Sequence, residues 1–178
     1  MYIIVGLGNP GQEYAHTRHN TGRMTQQYIS EHVPKLSAKF VFLDTFMNKS
    51  GQGIAKVVKS KGAAKKLIVI HDDLDLPLGT LKISYNRGSG GHKGLESIIR
   101  ALKTKEFVRI RIGIGPTSPR LRGASKKADV EKHILGKFKK SEMDILKKVF
   151  NRAQGAVETI VTHGLSNAMT EFNSLWEK

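Results

Sequence analysis

There is no cysteine among these 178 residues. That removes any disulfide framework and any thiolate metal site, and it is compatible with a reducing compartment. Long apolar runs are missing too. Nothing approaches the roughly 20 residues that span a bilayer, and the N-terminus lacks a basic stretch leading into an apolar one. The expectation is a soluble, cytoplasmic protein without membrane contact. Negative charge is the third scarcity: 15 Asp and Glu stand against 30 Lys and Arg, a formal net charge of +15. The imbalance is regional, with 15 basic and 5 acidic residues between positions 100 and 150. Such a chain attracts polyanions, and nucleic acid is the expected partner; the plainer reading is a solvated basic surface.

The length suits one domain, residues 1–178, large enough to bury a core. Apolar strand-like runs cover 3–7, 40–43, 67–71, 81–85 and 107–115. Helix-like segments alternate with them. One follows Ser50 and carries Ile54, Val57 and Val58; one follows a glycine loop with Leu95, Ile98, Ile99 and Leu102 on a stripe. Ser141-x-x-Asp144 resembles a capping box opening a long helix whose stripe is Leu146, Val149, Phe150, Ala153, Val157 and Ile160, with Gly164 as its stop. Met169, Phe172 and Trp176 suggest a last short helix. Residues 116–127, rich in Gly, Ser, Pro and basic side chains, read as a mobile basic loop. The pattern predicts the α/β class, a single-domain three-layer α/β/α architecture around a twisted mixed sheet.

Three strand ends carry polar side chains, which is where open α/β sheets build their sites. Asn9 follows the first strand, Asn48 follows Phe46-Met47 beyond the second, and Asp72 follows the third; His19 comes soon after Asn9. An imidazole that takes a proton needs a partner to fix its tautomer and stabilise the cation, and Asp72 is the natural candidate. Beside such a base, Asn9 and Asn48 can hold a substrate carbonyl or position a water. Each residue also has an ordinary structural reading, as cap, turn or surface group. No His-x-x-x-His or comparable spacing supports a metal. Gly6-x-Gly8-x-x-Gly11 matches the dinucleotide fingerprint formally, which keeps an NAD(P)-binding oxidoreductase as a rival. Pro10 sits inside that turn, however, and Glu31 falls in a helix-like stretch instead of ending a second strand. Gly88-Ser89-Gly90-Gly91-His92-Lys93-Gly94 opens the helix near Leu95 and could hold an anion.

Gly6-Leu7-Gly8-Asn9-Pro10-Gly11-x-x-Tyr14-x-x-Thr17-Arg18-His19-Asn20-x-Gly22 resembles the opening signature of the bacterial-type peptidyl-tRNA hydrolases. Phe46-Met47-Asn48-x-Ser50-Gly51, Asp72-Asp73-Leu74-Asp75-Leu76-Pro77, Gly90-Gly91-His92 and Arg109-x-Arg111-x-Gly113-Ile114-Gly115 come after it in the family's order. The resemblance implies cleavage of the ester joining a peptide to the 3′ ribose of tRNA, without a cofactor and without a metal. His19 would activate water, Asp72 would orient it, and Asn9 and Asn48 would place the peptide end and the water. Tyr14, Phe46, Met47, Asn48, His92 and Lys93 would bind substrate; Lys82, Arg87 and Arg111 would contact tRNA phosphate. A monomer with no obligate protein partner is expected. Two positions depart from the family: Lys93 replaces a usual Asn, and Ser84 a usual basic residue. The segment 32–39 is short, which would leave a sheet edge less protected. These departures support a second expectation, a tRNA- or RNA-binding protein with weakened or lost catalysis.

Overall fold

The structure is a computed structural model and describes residues 1–116 and 127–174. Five strands form one mixed sheet: β1 (Tyr2–Gly6), β2 (Ala38–Phe40), β3 (Leu67–Pro77), β4 (Leu81–Tyr85) and β5 (Val108–Gly115), in spatial order β2-β1-β3-β5-β4. All neighbours run parallel except β4, which returns antiparallel to β5. Helices cover both faces, giving the expected three layers. On one face, α1 (Thr21–His32), α6 (Lys140–His163) and α7 (Leu165–Asn173) close over Ile4, Ile68, Ile70, Ile110 and Ile112. On the other, α2 (Ser50–Ala55), α3 (Lys61–Ala64) and α4 (Lys93–Leu102) close over Val5, Leu7, Leu67, Val69 and Phe107. A further helix, α5 (Lys127–Leu135), buries no residue fully and stands beside the strand ends.

Val108, Ile110 and Ile112 of β5 enter the first cluster, while Phe107 just before the strand enters the second and Arg109 and Arg111 line the cleft, the two-residue period of a strand with both faces covered. From β1 the chain goes first to β2 on one side and then to β3 on the other. The carboxyl ends of β1 and β3 therefore flank the point where the winding reverses, and a crevice opens there. Its depth comes from a tight helix–strand contact. A Cβ on Gly6 would stand 2.1 Å from the Gly22 carbonyl oxygen, and one on Gly22 would stand 2.2 Å from that of Ile70. Only glycines let α1 lie this close to the sheet.

Several expected boundaries move. β2 occupies Ala38–Phe40, not 40–43; beyond it one more bond reaches β1, from Val41 N to Ile4 O at 2.9 Å. The apolar run 40–43 has no alternation to fix a register, and Leu43 drops into the core while Phe42 stays half exposed. β3 runs on to Pro77 because β5 keeps pairing with it, Asp72 against Ile112 and Asp73 against Gly113, with a register shift before Pro77. Asp72 is thus inside a strand rather than just past one. The capping box of α6 forms earlier than Ser141-x-x-Asp144: Lys139 is the N-cap, and its backbone N–H donates to Glu142 Oε2 at 2.6 Å. Of the basic loop expected over 116–127, residues 117–126 lie outside the described residues, and Lys127 already belongs to α5. Trp176 also lies outside them, whereas Phe172 packs into the core as expected. β2 does form an edge, and its three-residue length limits what it offers a foreign strand.

Candidate active site

The loop after β1 carries Asn9. Its backbone is clasped by the Asn20 side chain, which accepts from Asn9 N and donates to Asn9 O, both at 2.9 Å. Asn9 Oδ1 accepts from Met47 N at 2.8 Å, so the amide N–H groups are what Asn9 has left to offer. One bond therefore fixes both a side chain and the segment 46–48 opposite it. Asn48, in the 3-10 turn Met47–Lys49, is exposed and lies beside the cleft. Met47 is buried and Phe46 is 51% exposed, its ring edge-on to Tyr14 at 6.3 Å. The two aromatics give the cleft an apolar rim.

His19 sits in the 3-10 turn Arg18–Asn20 just before α1. Arg18 anchors that turn: its backbone N–H donates to Gly136 O, and its guanidinium reaches His133 O and Glu142. The same Glu142 caps α6, and burial, which would raise its carboxyl, is outweighed by the Lys139 N–H and Arg18, which lower it. His19 Nδ1 meets Asp72 Oδ2 at 2.9 Å, and both residues are buried. Since an ionised carboxylate only accepts, the proton is on Nδ1, which leaves the Nε2 lone pair as the basic site. The other carboxylate oxygen, Oδ1, receives His92 Nε2 at 2.8 Å. Burial alone would raise the Asp72 carboxyl, but His92 and His19 together hold it well below the usual carboxylate range.

These groups open on a cleft of about 850 Å³. It brings together Asn9, Tyr14, His19, Phe46, Met47, Asn48, Asp72, Arg87, His92, Lys93 and Arg111, all expected from the sequence. Lys82 is not among its lining residues; it lies on β4, opposite Arg111 in register. Arg111 differs from expectation in setting. It is expected to contact tRNA phosphate, yet it is 9% exposed in the sheet, with Nε donating to Asp73 Oδ2 at 2.7 Å and Nη1 to Ser84 Oγ at 3.3 Å. Ser84 is therefore a buried acceptor for Arg111.

Four contributors escaped the sequence reading. Asn20 orders Asn9 through its paired backbone bonds. Arg109 is buried in β5 and ties down the glycine loop through Gly88 O at 2.6 Å and Arg87 O; burial and the neighbouring Arg111 and Arg87 lower its guanidinium to about 10. His71 donates Nδ1–H to Asp72 O at 2.7 Å while Nε2 is buried without a partner among the described residues; burial and then His92 push its imidazole down to about 3. Finally, α5 supplies Val130, Ile134 and Leu135 as an apolar wall. The signal for His71 and Asp73 was present: they flank Asp72 on the strand paired with Arg109-x-Arg111.

His19, Asp72 and His92 are also a group whose ligand atoms lie within 4.8 Å of one another. Tetrahedral ligand pairs about a zinc-sized ion stand roughly 3.3 Å apart at bonds of about 2.0 Å. The separations of 2.8 and 2.9 Å suit shared protons instead. The dinucleotide reading fails at β1. There Gly6-x-Gly8-x-x-Gly11 leads into a 3-10 turn, Gln12–Tyr14, instead of the α-helix N-terminus that would receive a pyrophosphate.

A family model described as peptidyl-tRNA hydrolase matches residues 3–178. The chain is 40% identical to a peptidyl-tRNA hydrolase of Pseudothermotoga lettingae, over 98% of this chain and 97% of that one. It is 37% identical to one of Thermodesulfovibrio yellowstonii, over 98% and 100%. A crystal structure of peptidyl-tRNA hydrolase from Acinetobacter baumannii superposes with a TM-score of 0.85 at 30% identity, covering 97% of this chain and 94% of that one.

Proposed function

The chain belongs to the peptidyl-tRNA hydrolase family and hydrolyses peptidyl-tRNA, and we propose that His19 is the base of that reaction, with Asp72 as the group that orients it. The Nε2 lone pair of His19 takes a proton from a water as its oxygen attacks the ester carbonyl carbon. The imidazolium so formed is stabilised by the Asp72 carboxylate 2.9 Å from Nδ1. When the tetrahedral intermediate collapses, the bond from carbon to the ribose 3′ oxygen breaks. The proton on Nε2 passes to that oxygen, giving a peptide acid and a free tRNA end. Asn9, whose carbonyl is taken by Met47, donates its amide N–H groups to the developing oxyanion. Asn48 positions the water. Tyr14, Phe46, Met47 and Lys93 receive the peptide end; Arg87, Lys82 and Arg111 supply positive charge for the tRNA phosphates, Arg111 while paired with Asp73. One sheet with a core on each face supports reading residues 1–178 as one domain. Peptidyl-tRNA arises where translation occurs, which supports a cytoplasmic location.

The observation that carries this assignment is the His19–Asp72 bond in the wall of an open cleft. His19→Ala should lower kcat on an N-blocked aminoacyl-tRNA by about a thousandfold or more, with tRNA affinity within roughly threefold of the parent. Turnover at the parental rate would remove His19 from its role.

A further inference from the structure

His92 stands in the cleft wall, yet neither of its nitrogens is free there. It is the N-cap of α4, and Nδ1 accepts a long bond of 3.4 Å from Leu95 N. An accepting nitrogen carries no proton, so the neutral ring keeps its hydrogen on Nε2, and that hydrogen goes to Asp72 Oδ1 at 2.8 Å. The helix end thus selects the tautomer, and the tautomer selects the contact. A substrate contact from either nitrogen would have to break the cap or release the carboxylate.

We infer that His92 is a positioning residue that acts on His19 through Asp72, and that α4 holds it in the one tautomer able to do so. The inference rests on His19 as the base. It has two physical parts. With Oδ1 held by His92, the carboxylate plane is fixed and Oδ2 points at His19 Nδ1. With part of its charge engaged by His92, the carboxylate attracts the His19 imidazolium less than an unshared one would. The ionisable and charged groups lining the cleft around this pair are Tyr14 and Lys49, then His71, Asp72, Asp73 and Asp75 from β3, Arg87 from the glycine loop, Lys93 beside His92, Arg109 and Arg111 from β5, and Lys127 and Glu131 from α5 across the cleft. Arg111 is paired with Asp73, and Arg18, on His19's own turn, faces away towards Glu142. Asp72 is the group bonded to both rings.

Two substitutions separate the two bonds of His92. Asn is among the best N-caps but is too short to cap and also span to Asp72, whereas Gln reaches the carboxylate and caps poorly. His92→Asn should keep Tm within a few degrees, lower kcat about tenfold with KM within about twofold, and move the acid limb of the kcat/KM profile towards higher pH, because an unshared carboxylate holds the imidazolium more tightly. His92→Gln should lose more thermal stability, retain severalfold more kcat than His92→Asn, and keep its acid limb close to the parent's. Parental kcat and acid limb in His92→Asn would overturn the inference, as would a loss confined to KM or identical kinetics in the two variants. If His92→Asn does not fold, His92→Gln decides alone: a kcat loss beyond about a hundredfold with the amide in place would overturn it. A His92 series without effect, in an enzyme that still requires His19, removes this inference only; an enzyme indifferent to His19 removes the base assignment beneath it.

Discussion

At the scale of single residues, Asp72 and its neighbour His71 respond to acid in different pH windows. His71 is buried and its imidazole is pushed from an ordinary 6.5 down to about 3, first by burial and then by His92, against the raising effects of Asp72 and Asp73. The unfolded chain therefore binds a proton here between those values and the native protein does not, so stability is complete above about 6.5 and declines as pH falls through that value. Asp72, held low, adds stability above the ordinary carboxylate range and loses it only on stronger acidification. Between pH 7 and 5 the parent should lose about 1–2 kcal/mol more stability than His71→Asn, read from urea midpoints at each pH. Equal losses would show that His71 takes up its proton without cost in the fold. The sequence made Asp72 legible because it follows an apolar run, and His19 because it comes soon after Asn9 at the end of the first strand. It left His92 as a cleft residue, because nothing in a glycine-rich string tells which nitrogen of a capping imidazole is already spent.

At the scale of elements, long periodic segments were legible and weakly patterned ones were not. The stripe of α6, from Leu146 to Ile160, is buried as its 3.6-residue period predicts. α5 escaped because it buries nothing fully: its apolar residues Val130, Ile134 and Leu135 form only a short stripe, and they line a cleft instead of entering the core. β4 shows a contact that sequence period does not encode. It is an edge strand, and Asn173 of α7 imitates a neighbouring strand, its Oδ1 accepting from Ile83 N at 2.8 Å and its Nδ2 donating to Ile83 O at 3.0 Å. Asn173→Ala should cost about 1–3 kcal/mol, since two partly buried backbone groups lose their partners. Asn173→Asp keeps the acceptor and loses the donor, so it should fall between. Denaturant unfolding checks both, and an Asn173→Ala protein as stable as the parent would mean that water replaces the amide fully.

At the scale of the whole molecule, charge and site have to be taken together. A net +15 would steer any polyanion towards the protein, but the hydrolytic site itself is nearly balanced, with Asp72, Asp73, Asp75 and Glu131 set among Lys49, Arg87, Lys93, Arg109, Arg111 and Lys127. Two of those cations are already occupied: Arg111 by Asp73, and Arg109 by the carbonyls of the glycine loop. The cleft therefore orients a substrate end, while long-range attraction comes from the basic excess outside it. These two contributions respond to salt differently. Binding of deacylated tRNA should weaken roughly a hundredfold between 50 and 200 mM salt if about four phosphates are neutralised, whereas kcat at saturating substrate should change little. Arg87→Ala, which removes an exposed cation at the rim, should reduce the slope of log affinity against log salt by about one and leave kcat within about twofold. A slope that does not change would place Arg87 off the phosphate path. A kcat that falls with salt in parallel with affinity would mean that the charges gripping tRNA also act on the ester, and the division between steering surface and balanced cleft would have to be abandoned.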